Sequence, residues 1–250
     1  MTNLIREKRK VTFSFKRINA VVIRKLSELI ENQATELRVN QSEYYLLYSM
    51  DASDSTSFES TSNEIFREQS LMDDKVLQKV VMRFYALDHS RNIEIQIIHS
   101  VKNENSDNFI SVSGDDSTWV NGILQRLSEI VSGAEEQSRV NSRYGGYLMF
   151  GFLVLVNVEF YRLFFNYLNA MGGWLSVIAI LGFPPASIFF ATWISNELDR
   201  IYPAIELQTG ALHMQVQQKK RKSLQWWAVT IIIPLLLALL YDILKSNFDL

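Results

Sequence analysis

The stretch VLQKVVMRFYALDHSRNIEIQII, Val76 to Ile98, decides the fold of the N-terminal half. Val80, Met82 and Phe84 alternate with Lys79, Arg83 and Tyr85, and Ile93, Ile95 and Ile97 alternate with Glu94 and Gln96. A period of two places one set on a buried face and the other toward water, so both runs read as strands. Between them DHSRN supplies turn residues, and the pair forms an antiparallel hairpin.

Working outward, Val11 to Phe15 alternates like a strand, and Ile18, Val22, Leu26 and Leu29 recur on one face of a helix. Leu37 to Val39 and Tyr44 to Tyr48 read as strands, and Asp51 to Ser57 (DASDSTS) reads as a loop. Asn63 to Ser70 holds one or two helical turns, with Ser62 or Asn63 able to accept from the first free amides. Phe109 to Ser113 is a further strand, and GDDSTW leads into a helix whose stripe is Val120, Ile123, Leu124, Leu127, Ile130 and Val131, with Gly133 at its end. The order β-α-β-β-(short α)-β-β-β-α predicts an α+β sandwich: a mainly antiparallel sheet covered on one face by two helices.

Beyond about Asn141 the composition changes. Tyr147 to Tyr167, Trp174 to Ser195 and Gln225 to Ile243 are each about the length that crosses a bilayer. The expected organisation is a domain over residues 1–138 and a three-span transmembrane region over 139–250, with spans at about 147–167, 174–195 and 225–243. Basic residues near the span ends place the N-terminus in the cytoplasm and the C-terminus outside, in a bacterial inner membrane. The loop 196–223 reads as a juxtamembrane β-hairpin, IELQT and LHMQVQQ on either side of TGA, able to add to the N-terminal sheet. No apolar run follows the basic N-terminus, so a signal peptide is not expected.

Several residues stand out against this background. Glu159, Arg162 and Asn166 fall on one face of the first apolar run, a polar face that should meet protein or water. Gly145, Gly146, Gly182, Pro184, Pro185 and Pro234 are hinge or kink positions. Lys219, Lys220, Arg221 and Lys222 form a basic run that sets topology and can contact anionic lipid.

Other chemistry is sparse. The chain has no cysteine, and His89, His99 and His213 are far apart, so no metal site and no cofactor is expected. The GDD at Gly114 to Asp116 reads as a turn and helix cap rather than a metal site, because no second cluster completes a coordination sphere. A formal net charge of −2 argues against nucleic acid as a partner. No phosphate-binding loop or nucleophile motif is present, so the chain is not expected to be an enzyme.

These readings combine into one expectation: a non-catalytic integral membrane protein whose cytoplasmic domain senses a ligand or binds a protein partner and is coupled to three spans. A membrane-perturbing effector is one form of it. A subunit of an oligomeric ion channel is the alternative, and a membrane-anchored enzyme the third. The expected partners are the lipid bilayer, further copies of the chain and an unidentified cytoplasmic ligand or protein.

Overall fold

In the computed structural model, residues 6–39, 42–101, 107–137 and 173–227 are described as continuous stretches, with further helical residues scattered over 151–170 and 229–245. The first sheet is six-stranded and antiparallel throughout. Its strands are β1 (Glu7–Thr12), β3 (Tyr44–Ala52), β4 (Ser57–Ser60), β5 (Leu77–Ala86), β6 (Arg91–Ile98) and β7 (Phe109–Gly114), in the order β1-β7-β6-β5-β3-β4. Register explains the core: Met82 stands opposite Tyr48 on one side and Ile95 on the other, and all three are buried.

Helices α1 (Ala20–Val39) and α3 (Ser117–Ser132) cover that buried face with Ile23, Leu26, Ile30, Val120 and Leu127. Apolar spacing of three and four residues turns one stripe of each helix to the sheet. Asp116 caps α3 by accepting from the Thr118 amide at 2.8 Å. Between β4 and β5, a 3₁₀ turn at Asn63–Phe66, capped by Ser62, and the short α2 (Gln69–Asp74) fill one end of the core with Phe66 and Met72. Thus the expected α+β layout, the Val76 to Ile98 hairpin, a helix cap within GDDSTW and the helical turns near Ser62 all stand.

Local differences have physical causes. The first strand lies earlier than Val11 to Phe15, because Phe15 takes a positive φ of 58° and turns the chain into β2 (Lys16–Asn19). Leu37 to Val39 is not a strand but the last turn of α1, since Ile30, Ala34 and Leu37 continue its buried stripe. Asp51 to Ser57 is mostly a tight hairpin between β3 and β4.

A second sheet is built from distant parts of the chain in the order β8-β2-β9, with β8 (Glu135–Glu136) antiparallel to β2 and β9 (Ile205–Gln208) parallel to it. Two helices flank β9: α4 (Gly173–Ile201) and α5 (Ala211–Trp227). The 196–223 segment is therefore not a β-hairpin. It begins as the last turns of α4, only Ile205–Gln208 is a strand, paired with the N-terminal domain, and at Gly210, with φ +76°, the chain leaves strand geometry and the lysine- and glutamine-rich second half becomes helix.

The three-span region is also corrected. Among the described residues, no helix is long and apolar enough to cross a membrane. With it go the expectations of an integral membrane protein in an inner membrane, of a defined in-out topology, and of a sensor, channel or enzyme built around spans. An apolar run reports composition and not what covers it. On α4, Leu181, Phe183 and Ile188 are interspersed with Gly182, Pro184, Pro185, Ser187 and Thr192, and one side packs on the chain itself. Ala191 is buried, Asn157 Nδ2 donates to Ser187 Oγ at 3.0 Å, and the rings of Phe160 and Phe183 stack at 3.6 Å.

Candidate site where the sheet domain meets the helices

The densest polar cluster among the described residues lies on the second sheet. Alternation along β2 buries Ile18 in the core and leaves Arg17 facing the neighbouring strands. Glu206, in the middle of β9, is paired in register with Arg17, and its side chain is only 6% exposed. Arg17 Nε lies 3.4 Å from Glu206 Oε2, and Arg17 also bonds Glu135 and the Gln137 side-chain oxygen.

From the other side Arg221 closes the site. Its Nη2 donates to Glu206 Oε2 at 2.7 Å, and its guanidinium also donates to the Ile201 carbonyl at the end of α4. The same group lies over the Tyr202 ring, 5.5 Å from its centroid. Lys16 Nζ donates to the carbonyls of Ser132 and Ala134 at 2.7 and 3.2 Å and stands 3.6 Å from Glu136. Three cations, Lys16, Arg17 and Arg221, thus face three carboxylates, Glu135, Glu136 and Glu206. Of the carboxylates only Glu206 is buried, and the two arginines beside it permit its charge to be held out of water.

Backbone bonds anchor the same segment along its length. Phe15 N donates to Ala204 O at 2.6 Å, Ser100 and Ile205 exchange a pair of bonds at 3.1 Å, and Gly210 N donates to Met72 O at 3.1 Å. The buried Thr209 hydroxyl accepts from Leu77 N at 2.9 Å. Ile205 and Leu207 belong to the main core. The segment Pro203 to Gly210 is therefore gripped by the N-terminal domain, while α4 and α5 leave from its two ends.

Four parts of the chain converge here: β2, which runs directly into α1; β8, where the chain leaves the first domain; the end of α4; and α5. Asn19, the last residue of β2, caps α1 by accepting from Val22 N at 3.0 Å. Chemically this is a holding site. It offers paired charges and no free nucleophile or base.

The residues singled out in the sequence scatter relative to it. Of the basic run, Arg221 is in the site, whereas Lys219, Lys220 and Lys222 are exposed on α5. Gly182, Pro184 and Pro185 lie within α4, which continues through them, and Ser187 Oγ donates to the Pro184 carbonyl at 2.8 Å. Pro234 is helical, and Arg162 is helical and exposed. Glu159, Asn166, Gly145 and Gly146 lie outside the described residues. His89 sits in the β5–β6 turn at φ 61°. Arg17, Glu135 and Glu206 carry no local signal in the sequence: Arg17 meets Glu135 and Glu206 across more than a hundred residues, and the nearer Glu206–Arg221 pair spans the end of a strand and the whole turn into α5.

No other polar cluster among the described residues is as dense. Among the described residues no group of three or more His, Cys, Asp or Glu is placed to hold a metal ion. A shallow groove between α1 and α3, lined by Lys25, Asn32, Gln33 and Arg126 among others, is open to solvent. Comparison with known proteins gives no further constraint: no family model, curated protein or solved structure matches the chain.

Proposed function

We propose that the chain is a non-catalytic assembly protein, in which the α+β domain is carried on α4 and α5 as a rigid unit and α4 joins it to further copies of itself. The observation that carries this reading is the apolar stripe on α4. Trp174, Leu181 and Ile188 are 83%, 69% and 54% exposed, and Val177 lies exposed between the first two. Contiguous apolar surface of this kind marks an interaction site.

Spacing favours a second copy as the occupant. Trp174, Leu181 and Ile188 are seven residues apart, with Val177 three beyond Trp174, the repeat by which one helix packs along another like itself. Over its 29 residues α4 extends about 43 Å, long enough for several layers of such contacts. Phe183, which stacks on Phe160, lies on the opposite side of α4, and Trp174, Val177, Leu181 and Ile188 stay exposed among the described residues. The charge site at Glu206 supports the rigid unit, because it fixes both ends of the α4–α5 connection to the sheet domain.

Mass measurement by light scattering over a range of concentrations tests the reading. The wild type is expected to be oligomeric, and the double variant Leu181→Lys with Ile188→Lys monomeric with an unchanged circular dichroism spectrum. A monomer at every concentration, or an oligomer indifferent to both lysines, overturns it.

A further inference from the structure

The outward face of α5 is a second surface, unrelated to the stripe on α4. Met214, Gln217, Arg221 and Leu224 follow a three-four-three spacing and are the half-covered positions of the helix, with Arg221 drawn onto Glu206. The opposite face carries Val216, Lys219, Lys220, Lys222, Trp226 and Trp227, all exposed. Lys222 and Trp226 are one turn apart, and Lys220 and Trp227 two turns, so cations and indoles share one side. Helix α5 contains no Asp or Glu, and the three lysines form no ion pair among the described residues.

We infer that this face docks on an anionic lipid surface. Each part of the face matches a part of that partner. Lysine ammoniums lie toward negatively charged headgroups, and their flexible stems let them adapt to a fluid array. Indole rings prefer the boundary between headgroup and acyl chain, having an apolar body and one N–H donor. Trp226 and Trp227 are 57% and 51% exposed, with rings edge to face at 5.6 Å, and share the lysines' side of the helix, one to two turns further on. An acidic protein could engage the same lysines and indoles, and absence of binding to either vesicle would assign the face to such a partner. The contact is docking at a surface from one side, with α5 lying along it, and it does not depend on self-association through α4.

The sequence grouped KKRK as one basic run; the helix divides it. Arg221 belongs to the structural site and holds α5 in place, which presents Lys219, Lys220 and Lys222 on the far side. Arg221 is therefore a positioning residue for this surface and the lysines are its contacts.

Cosedimentation of the full chain with vesicles tests the inference, using phosphatidylcholine alone or phosphatidylcholine mixed with phosphatidylserine. Binding is expected only to the mixed vesicles and should weaken as salt is raised past ~0.1 M, where screening shortens to about 10 Å. Each lysine is worth about a fivefold change in partitioning, so replacing Lys219, Lys220 and Lys222 with Gln should weaken binding roughly 100-fold. Trp226→Ala with Trp227→Ala should weaken it while leaving the salt dependence in place. Equal binding to both vesicles, binding to neither, or a triple lysine variant that binds as the wild type overturns the inference. Full displacement from the mixed vesicles by inorganic phosphate at unchanged ionic strength also overturns it, by assigning the lysines to free phosphate.

Discussion

Arg221 Nη2 stands 2.7 Å from Glu206 Oε2, with the two side chains 11% and 6% exposed. Through this pair α5 is fastened to a strand that itself pairs with β2 of the N-terminal domain. A charge so withdrawn from water is tolerable only while its partner is present, and removing one member costs about 3–5 kcal/mol because the other stays buried.

Glu206→Gln, which leaves both arginines facing a neutral amide, is accordingly expected to be among the most destabilising polar changes in the chain. Arg221→Met should cost less, since Arg17 remains beside the carboxylate. Urea unfolding of the two single variants and the double variant would measure the coupling. Hydrogen exchange should show the β2 and β9 amides losing protection first. Additive losses from the two changes would mean that the residues do not act together.

At Gly210 the chain needs a conformation that side chains resist. Its φ is +76°, and an added Cβ would meet Val76 Cγ2 at 3.2 Å and the Lys75 carbonyl at 3.3 Å. Gly210→Ala should therefore lower stability by about 1–3 kcal/mol. Gly122, inside α3, provides the contrast, because its Cβ would have nothing within 4 Å. Gly122→Ala should raise stability by about 0.5–1 kcal/mol through helix propensity. Thermal unfolding of both variants decides the matter, and a Gly210→Ala protein as stable as wild type would sink the account of this turn.

Period-two and period-three-four patterns made the first sheet and its covering helices legible, because Met82, Ile95 or Leu26 owe their burial to local alternation. The second sheet was not legible for the opposite reason. Glu206 finds Arg17 across 189 positions, and nothing in IELQ distinguishes a strand that joins a distant domain from one half of a hairpin. Likewise the alternation of Leu212, Met214 and Val216 resembled a strand, and only the backbone at Gly210 directs that segment into helix. KKRK was read by charge alone, so Arg221 was not separated from its neighbours. The apolar runs were read as spans because composition measures hydrophobicity and not the surface that receives it.

Tyr48 provides a prediction tied to pH. On β3 it is fully buried, its ring edge-on to Phe66 at 5.5 Å, and its hydroxyl donates to Glu31 Oε2 at 3.2 Å. Burial first, and then the charge of Glu31, hold its phenol well above the ordinary value of 10. The folded state therefore favours the neutral phenol more than the unfolded chain does. Its contribution is fully present below pH ~10, where both states keep the proton, and is lost as pH rises above that toward the folded-state value. Tyr48→Phe should cost about 1.5–3 kcal/mol at neutral pH, the worth of one hydrogen bond to a carboxylate. It should also make the decline in stability above pH ~10 shallower than in the wild type, since no phenol remains there to ionise on unfolding. Urea midpoints of both proteins, taken at neutral pH and through the alkaline range, would test this; parallel declines would show that Tyr48 does not govern the alkaline limb.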